Sequence, residues 1–205
     1  MSCCAWPGLG CASAAPFQPA LPLLLTVQMH QIREAKSLDR EDIRKVHLSA
    51  FPEEEREPVA ALAVDLLDET TTPETFALVA EVDGELVGHI GFSPCTIEGD
   101  GNWSGYILAP LGVKPGFQQQ GIGKALIESG KALLSQRGVN LLFVYGDPAY
   151  YGRFGFEADT ASAYLPPYEL QYPLGWQAIM LNDDGAGEAR RKLSCVASLR
   201  DPDLW

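Results

Sequence analysis

The stretch Leu111-Gly-Val-Lys-Pro-Gly-Phe-Gln-Gln-Gln-Gly-Ile-Gly-Lys-Ala-Leu-Ile127 limits most strongly what this chain can fold into. An apolar segment ends at Val113 and turns at Pro115-Gly116. Beyond the turn, Ile122, Leu126, Ile127, Leu133 and Leu134 recur at helical spacing. The pattern predicts a strand, a tight turn and an amphipathic helix in succession. At the junction, Gln118-Gln119-Gln120-Gly121-Ile122-Gly123 puts two glycines at the helix start. Glycine lets the backbone approach a ligand closely, and the free N–H groups of a first helical turn point outward. With the helix dipole they form a site for a phosphate-sized anion. Neither the dinucleotide fingerprint G-x-G-x-x-G nor the Walker loop fits this spacing.

A second block, Asn140-Leu-Leu-Phe-Val-Tyr-Gly-Asp-Pro-Ala-Tyr-Tyr-Gly-Arg-Phe-Gly-Phe156, reads as a buried strand followed by a short helix ending in Y-x-x-x-G-F. The Q-x-x-G-x-G loop and this block, in this order, resemble the GCN5-related N-acetyltransferase (GNAT) superfamily. The wording around Gly146-Asp147-Pro148-Ala149-Tyr150-Tyr151 is similar to its YhbS-like branch. The resemblance implies an α/β fold of the acyl-CoA N-acyltransferase type, with a mixed, mainly antiparallel sheet, flanking helices and a splayed central parallel pair. It implies acetyl-CoA as co-substrate, no metal, and direct transfer to a primary amine in a ternary complex. A small-molecule or peptide amine is the implied partner, and a homodimer is left open.

By the same resemblance, two parallel strands part after Val113 and Tyr145, and the main chain of Leu111, Gly112 and Val113 pairs with the pantetheine arm. The N–H of Val113 faces the thioester oxygen. The pyrophosphate rests on the N–H groups of Gln119, Gln120, Gly121, Ile122, Gly123 and Lys124, next to Gln118. Tyr151 matches the family's general acid, since a phenol stays protonated at neutral pH and can return a proton to a departing thiolate; Tyr150 is its nearest rival. Phe154 and Phe156 read as core. The glutamate that histone-type members carry six residues before the position of Val113 is here Ile107, which cannot accept a proton. His89, Glu98, Tyr106 and Glu85 stay open as bases. A non-catalytic acyl-CoA-binding or interaction module that keeps the fold is the alternative.

A net charge of −12 argues against nucleic acid, which requires a basic surface, and is compatible with a cationic acceptor. No run reaches the ~18 apolar residues that a membrane span needs. Cys3, Cys4, Cys11, Cys95 and Cys195 are odd in number and irregularly placed, unlike a zinc site or a disulfide framework. This points to a reducing, cytoplasmic setting.

Residues 1–28 hold no Asp, Glu, Lys or Arg and are broken by four prolines. They lack the charged start and unbroken apolar core of a secretory signal, and read as a disordered extension outside the folded domain. That domain is expected over 29–182, opening with a strand after Met29, and 183–205 is expected as a tail that adds an edge strand or helix. Within it, a helix begins near Ser37 with Asp39 as cap, places Ile43, Val46, Ala50 and Phe51 on one face, and ends at Pro52. A second helix is predicted over Val59–Leu67, approached by a solvated Glu53-Glu54-Glu55. Thr75–Val82 and Glu85–Phe92 form a hairpin on Asp83-Gly84. A third strand covers Trp103–Val113 after a turn at Gly99-Asp100-Gly101. The long helix ends near Gln136 with a stop at Gly138. Strand-like segments fill 160–182, the last at Trp176–Leu181, and 183–187 is a flexible break.

Overall fold

The computed structural model describes residues 30–97, 103–182 and 191–205. The N-terminal extension, Glu98, the turn at Gly99-Asp100-Gly101 and the break at 183–187 lie outside the described residues. The chain runs β1 (Gln31–Glu34), α1 (Arg40–Ala50), α2 (Glu53–Asp68), β2 (Phe76–Val82), β3 (Glu85–Ile97) and β4 (Gly105–Val113). It continues with α3 (Ile122–Gln136), β5 (Leu141–Tyr145), α4 (Pro148–Tyr151), α5 (Ala158–Ala161), β6 (Tyr164–Leu165), β7 (Trp176–Met180) and β8 (Arg191–Ser194). The main sheet is ordered β1-β2-β3-β4-β5-β7, and β4–β5 is its parallel pair. It is the mixed, mainly antiparallel sheet of a GNAT-like α/β fold.

The meander follows from its turn. Asp83 and Gly84 both take left-handed φ, 51° and 82°, the conformation of a two-residue type I′ hairpin whose twist matches the strands. The parallel step from β4 to β5 needs a crossover, and α3 supplies it. One face of the sheet carries α3, whose Ile122, Leu126, Ile127 and Leu134 pack on Ile90, Phe92, Leu108, Leu142 and Val144. The other carries α1 and α2. There Ile43, Val46 and Ala63 cover Val79 and Leu86, while Leu62 and Leu66 join Ile107, Phe143 and Trp176.

Four boundaries differ from the pattern in the sequence. Helix α2 starts at Glu53 and holds Pro58 inside it. A proline there forfeits one main-chain bond, and burial of Leu62, Ala63 and Leu66 downstream, with Glu53, Glu54 and Glu55 at the positive helix end, outweighs it. Asp39 stands at the start of α1 but does not cap it with its side chain. Its carboxylate accepts two bonds from Arg33, at 2.7 and 2.9 Å, and one from the Lys36 N–H, so it ties β1 to the helix start. Strand β3 runs on to Ile97, where β8 pairs with it at Thr96↔Ser194 and Ile97↔Leu193. Within 160–182 the strands are β6 and β7, and the helical turn α5 overlaps the start of that stretch.

The segment 191–205 supplies both an added strand and a 3₁₀ turn, Ala197–Leu199. Its Leu193, Cys195, Val196 and Leu199 are buried in the same cluster as Ile107 and Trp176. Glu69, at the end of α2, accepts bonds from the N–H groups of Ala197 and Ser198 and from the Ser198 hydroxyl.

Candidate active site

The parallel pair holds from Gly105↔Leu141 to Leu108↔Val144 and no further. The strands therefore part five residues before Val113, earlier than the sequence suggests. Pro110 offers no N–H to a neighbour, and at this point β4 shifts register against β3, between Ile90 and Phe92. Residues 109–113 continue along β3 alone, so one main-chain edge of Leu111, Gly112 and Val113 has no strand beside it.

A cleft of about 1050 Å³ opens at this edge and runs to the start of α3. Leu111, Val113, Gln118, Gln119, Gly121, Ile122, Gly123, Lys124 and Tyr151 all line it. Gln120 does not; its amide donates to the Gly116 carbonyl at 3.1 Å and steadies the turn. Gly112 does not either, and faces α1 on the opposite side of the sheet. The Gln118 amide donates to the Val113 carbonyl at 3.0 Å, which binds the loop to the splayed strand.

The loop geometry suits an anion. Gly121, the residue before α3, has φ 84°, and Gln119 is left-handed too at 61°. No side chain caps the helix, so the N–H groups of its first turn remain available beside the positive end of a fifteen-residue dipole. A Cβ at Gly123 would lie 2.7 Å from the Tyr150 hydroxyl, so only a bare Cα leaves room between loop and ring. Lys124 is exposed at the mouth. The Arg153 guanidinium lies over the Tyr150 ring, 4.8 Å from its centre, and brings a second cation to the same cleft.

Tyr151 packs its ring on Gly146, the residue that follows β5, and so stands where the parallel strands separate. Asp147 starts α4 by accepting the Ala149 N–H at 2.8 Å, and this aims both tyrosines into the cleft. Burial pushes the Tyr151 phenol well above its ordinary range, with Tyr150 adding to the effect, so it is protonated at neutral pH. Burial raises Tyr150 as well, opposed by Arg153. Phe156 is core at 1 % exposure, whereas Phe154 borders the cleft.

The proposed bases fare differently. Ile107 is buried against α2. Tyr106 donates its hydroxyl to the Glu74 carbonyl, and Glu85 pairs with Lys114 at 2.7 Å on the surface. Glu98 lies outside the described residues. His89 is wholly buried, and its partner is His47, 2.8 Å away. His47 escaped the sequence reading, although its spacing from Ile43 puts it on the inward face of α1. Phe117, Glu128 and Arg153 also line the cleft unforeseen, the last from inside the Y-x-x-x-G-F block. Among the described residues, no group of three or more His, Cys, Asp or Glu could hold a metal.

A family model for the acetyltransferase (GNAT) domain matches residues 73–158, which contain the splayed strand, the loop and Tyr151. The chain is 34% identical over 148 residues, 71% of its own length and 80% of the relative's, to the uncharacterized N-acetyltransferase YjhQ of Escherichia coli strain K12. It is similar in structure to YhbS from Escherichia coli, solved in complex with CoA, with a TM-score of 0.73 and 26% identity. That likeness covers 84% of this chain and 92% of the other. A GNAT family acetyltransferase from Brucella melitensis, solved in complex with acetyl-CoA, superposes with a TM-score of 0.61 and 30% identity over 83% of this chain and 98% of the other. By these likenesses the chain belongs to the GNAT acetyltransferases.

Proposed function

We propose that the protein is an acetyl-CoA-dependent N-acetyltransferase of the YhbS-like branch, moving acetyl to a primary amine by direct transfer in a ternary complex. The observation that carries this reading is one continuous cleft joining three parts. These are an anion site at the start of α3, an unpaired main-chain edge at Leu111–Val113, and Tyr151 at the strand gap. That sequence of features matches the phosphates, the amide-bearing arm and the thioester of acetyl-CoA in order. The two relatives solved with CoA and acetyl-CoA support it, as does 40% identity over 85 residues to Escherichia coli YhbS.

In this reading the pantetheine amides pair with the free edge of β4 as a further strand would. The Val113 N–H steadies the oxyanion that develops on the thioester carbonyl. Tyr151 protonates the departing sulfur. Between isolated groups that transfer is uphill, from a phenol near pKa ~10 to a thiolate of ~8.5, or about 2 kcal/mol. Burial makes Tyr151 a weaker acid still. The buried sulfur is desolvated in the same way, however, and proton transfer proceeds as the C–S bond breaks and charge builds there. Among the described residues no cysteine lines the cleft, which favours direct attack by the amine over an acyl-enzyme.

The test is thiol release from acetyl-CoA in the presence of spermidine, kanamycin, L-glutamate or an alanine-initiated tripeptide. Enzyme-dependent release with at least one of these is expected. Acetyl-CoA binding without release with any amine would instead favour the acyl-CoA-binding module.

A further inference from the structure

His47 of α1 and His89 of β3 meet in the interior, Nε2 to Nδ1 at 2.8 Å, with the rings edge to face. Both are buried, at 0% and 1% exposure. A neutral imidazole has one N–H and one lone pair, so one ring donates to the other. Whichever donates, the two outer nitrogens become one N–H and one bare lone pair. Those atoms, His47 Nδ1 and His89 Nε2, have no partner. Buried polar atoms are normally satisfied, and orphans of this kind call for an explanation in function.

Their place in the fold supplies one. In the strand register His89 lies between Val79 and Gly112, on the face that α1 covers. A Cβ at Gly112 would stand 2.8 Å from His47 Nδ1 and 2.9 Å from Cε1, so the missing side chain is what lets the ring reach the splayed strand. Ser93, opposite Ile107 in the ladder, shares this face, and its hydroxyl has no partner either. Three of the four unpartnered buried side-chain atoms among the described residues therefore line the α1 and α2 side of β3, opposite the cofactor cleft. Beyond Leu108 and Val144 no pairing between β4 and β5 closes the sheet beside Gly112. A thioester held in the cleft would meet an acceptor arriving from the α1 side at Gly112.

We propose that His47, backed by His89, is the base of the acetyl transfer, with Nδ1 beside Gly112 taking the proton that the acceptor nitrogen loses on bonding to the acetyl carbon. This rests on the acetyltransferase reading above. The nitrogen lone pair forms the C–N bond, and the carbonyl π pair moves to oxygen. The proton on nitrogen passes to His47 Nδ1, while the Nε2–H keeps its bond to the His89 lone pair. The oxygen pair then returns, the C–S bond breaks, and sulfur keeps its electrons and takes the Tyr151 proton.

The surroundings hold the pair neutral. Burial pushes His47 down to about 4, and burial with His47 nearby pushes His89 well below its ordinary range. Apart from His89, the groups set beside the pair are apolar: the Phe51 ring 5.8 Å from His47, Gly112 of β4 against His47, and Val79 of β2 opposite His89. Arg44 and Lys45 of α1 are surface groups paired with Glu57 and Asp42. Such a weak base suits the acidic N–H of the tetrahedral adduct, and the acceptor then enters as the free amine.

Hydroxylamine is the acceptor probe, being small, neutral at pH 7 and independent of any substrate pocket; the product measured is the acetohydroxamate formed above the spontaneous reaction of hydroxylamine with the thioester. His47→Gln is expected to lower its rate of formation by ~10²–10⁴-fold, with acetyl-CoA affinity held within a few-fold. His47→Ala should regain rate when imidazole is added, which a purely structural histidine would not show. A His47→Gln protein as fast as the unaltered one would overturn the assignment. So would a loss that follows acetyl-CoA affinity and ignores imidazole. An unaltered protein that binds acetyl-CoA yet forms no hydroxamate would overturn the acetyltransferase reading first, and the base with it.

Discussion

In the proposed acetyl transfer, Tyr151 and Gly123 are the single residues on which the cofactor site turns. Replacing Tyr151 with Phe removes one hydroxyl and almost none of the ring packing on Gly146 and Phe156. Turnover should fall by ~10²–10⁴-fold while acetyl-CoA affinity stays within a few-fold, because the proton is needed only as the C–S bond breaks. Tyr150→Phe is the matched control. If Tyr150→Phe were the dead protein, the acid would be the ring over Gly123 and not the one at the strand gap. For Gly123→Val the expected effect is opposite in kind. The added branch would meet the Tyr150 hydroxyl at the helix start, so the thermal shift caused by acetyl-CoA should vanish while the apo melting temperature changes little. A Gly123→Val protein with an intact shift would place the phosphates elsewhere.

At the scale of elements, the sequence disclosed those parts whose constraints are local. The Asp83-Gly84 hairpin, the length of α3 and the buried parallel strand β5 are each fixed by a turn residue or a period. The turn into α3 was legible for the same reason, since Gly121 and Gly123 stand in the short stretch that shapes it. What depended on distant partners was not. Pro58 hid the first half of α2, because tertiary burial decided the matter. The early parting of β4 from β5 arises from a register shift against β3 that no periodicity records. His47 and His89 are 42 residues apart and become a pair only through the packing of α1 on the sheet. The C-terminal segment was undecided between strand and helix, and its docking on Glu69 explains why: it needs a partner in α2 to settle. Glu69→Ala should leave two N–H groups and a hydroxyl without their acceptor and lower stability by about 1–3 kcal/mol. Urea midpoints for the two proteins would measure this. An unchanged midpoint would mean that burial of Leu193 and Leu199 alone holds the segment.

For the whole molecule, the pair of buried histidines makes folding itself sensitive to pH. In the unfolded chain His47 titrates near 6.5, and in the native state burial holds it down to about 4. Between these values the unfolded state binds more protons than the native one, so stability is complete above 6.5 and is lost as pH falls. Over the full window His47 alone accounts for about 3 kcal/mol, and some 2 kcal/mol of that is gone by pH 5. His89, shifted in the same direction, steepens the decline. Carboxylates act at lower pH. The Arg33 guanidinium holds Asp39 below its ordinary range, so the tie between β1 and α1 weakens only when acid falls through that lower region. Urea unfolding at pH 7 and pH 5 separates the two groups. The unaltered protein should lose roughly 2 kcal/mol or more between these values, whereas His47→Gln, which fills the same space and does not titrate, should retain only the part due to His89. Parallel losses in the two proteins would show that His47 is already accessible to protons in the native state. In that case His47 would not be buried against His89 beside Gly112, and the pair could not be the base that meets the acceptor nitrogen.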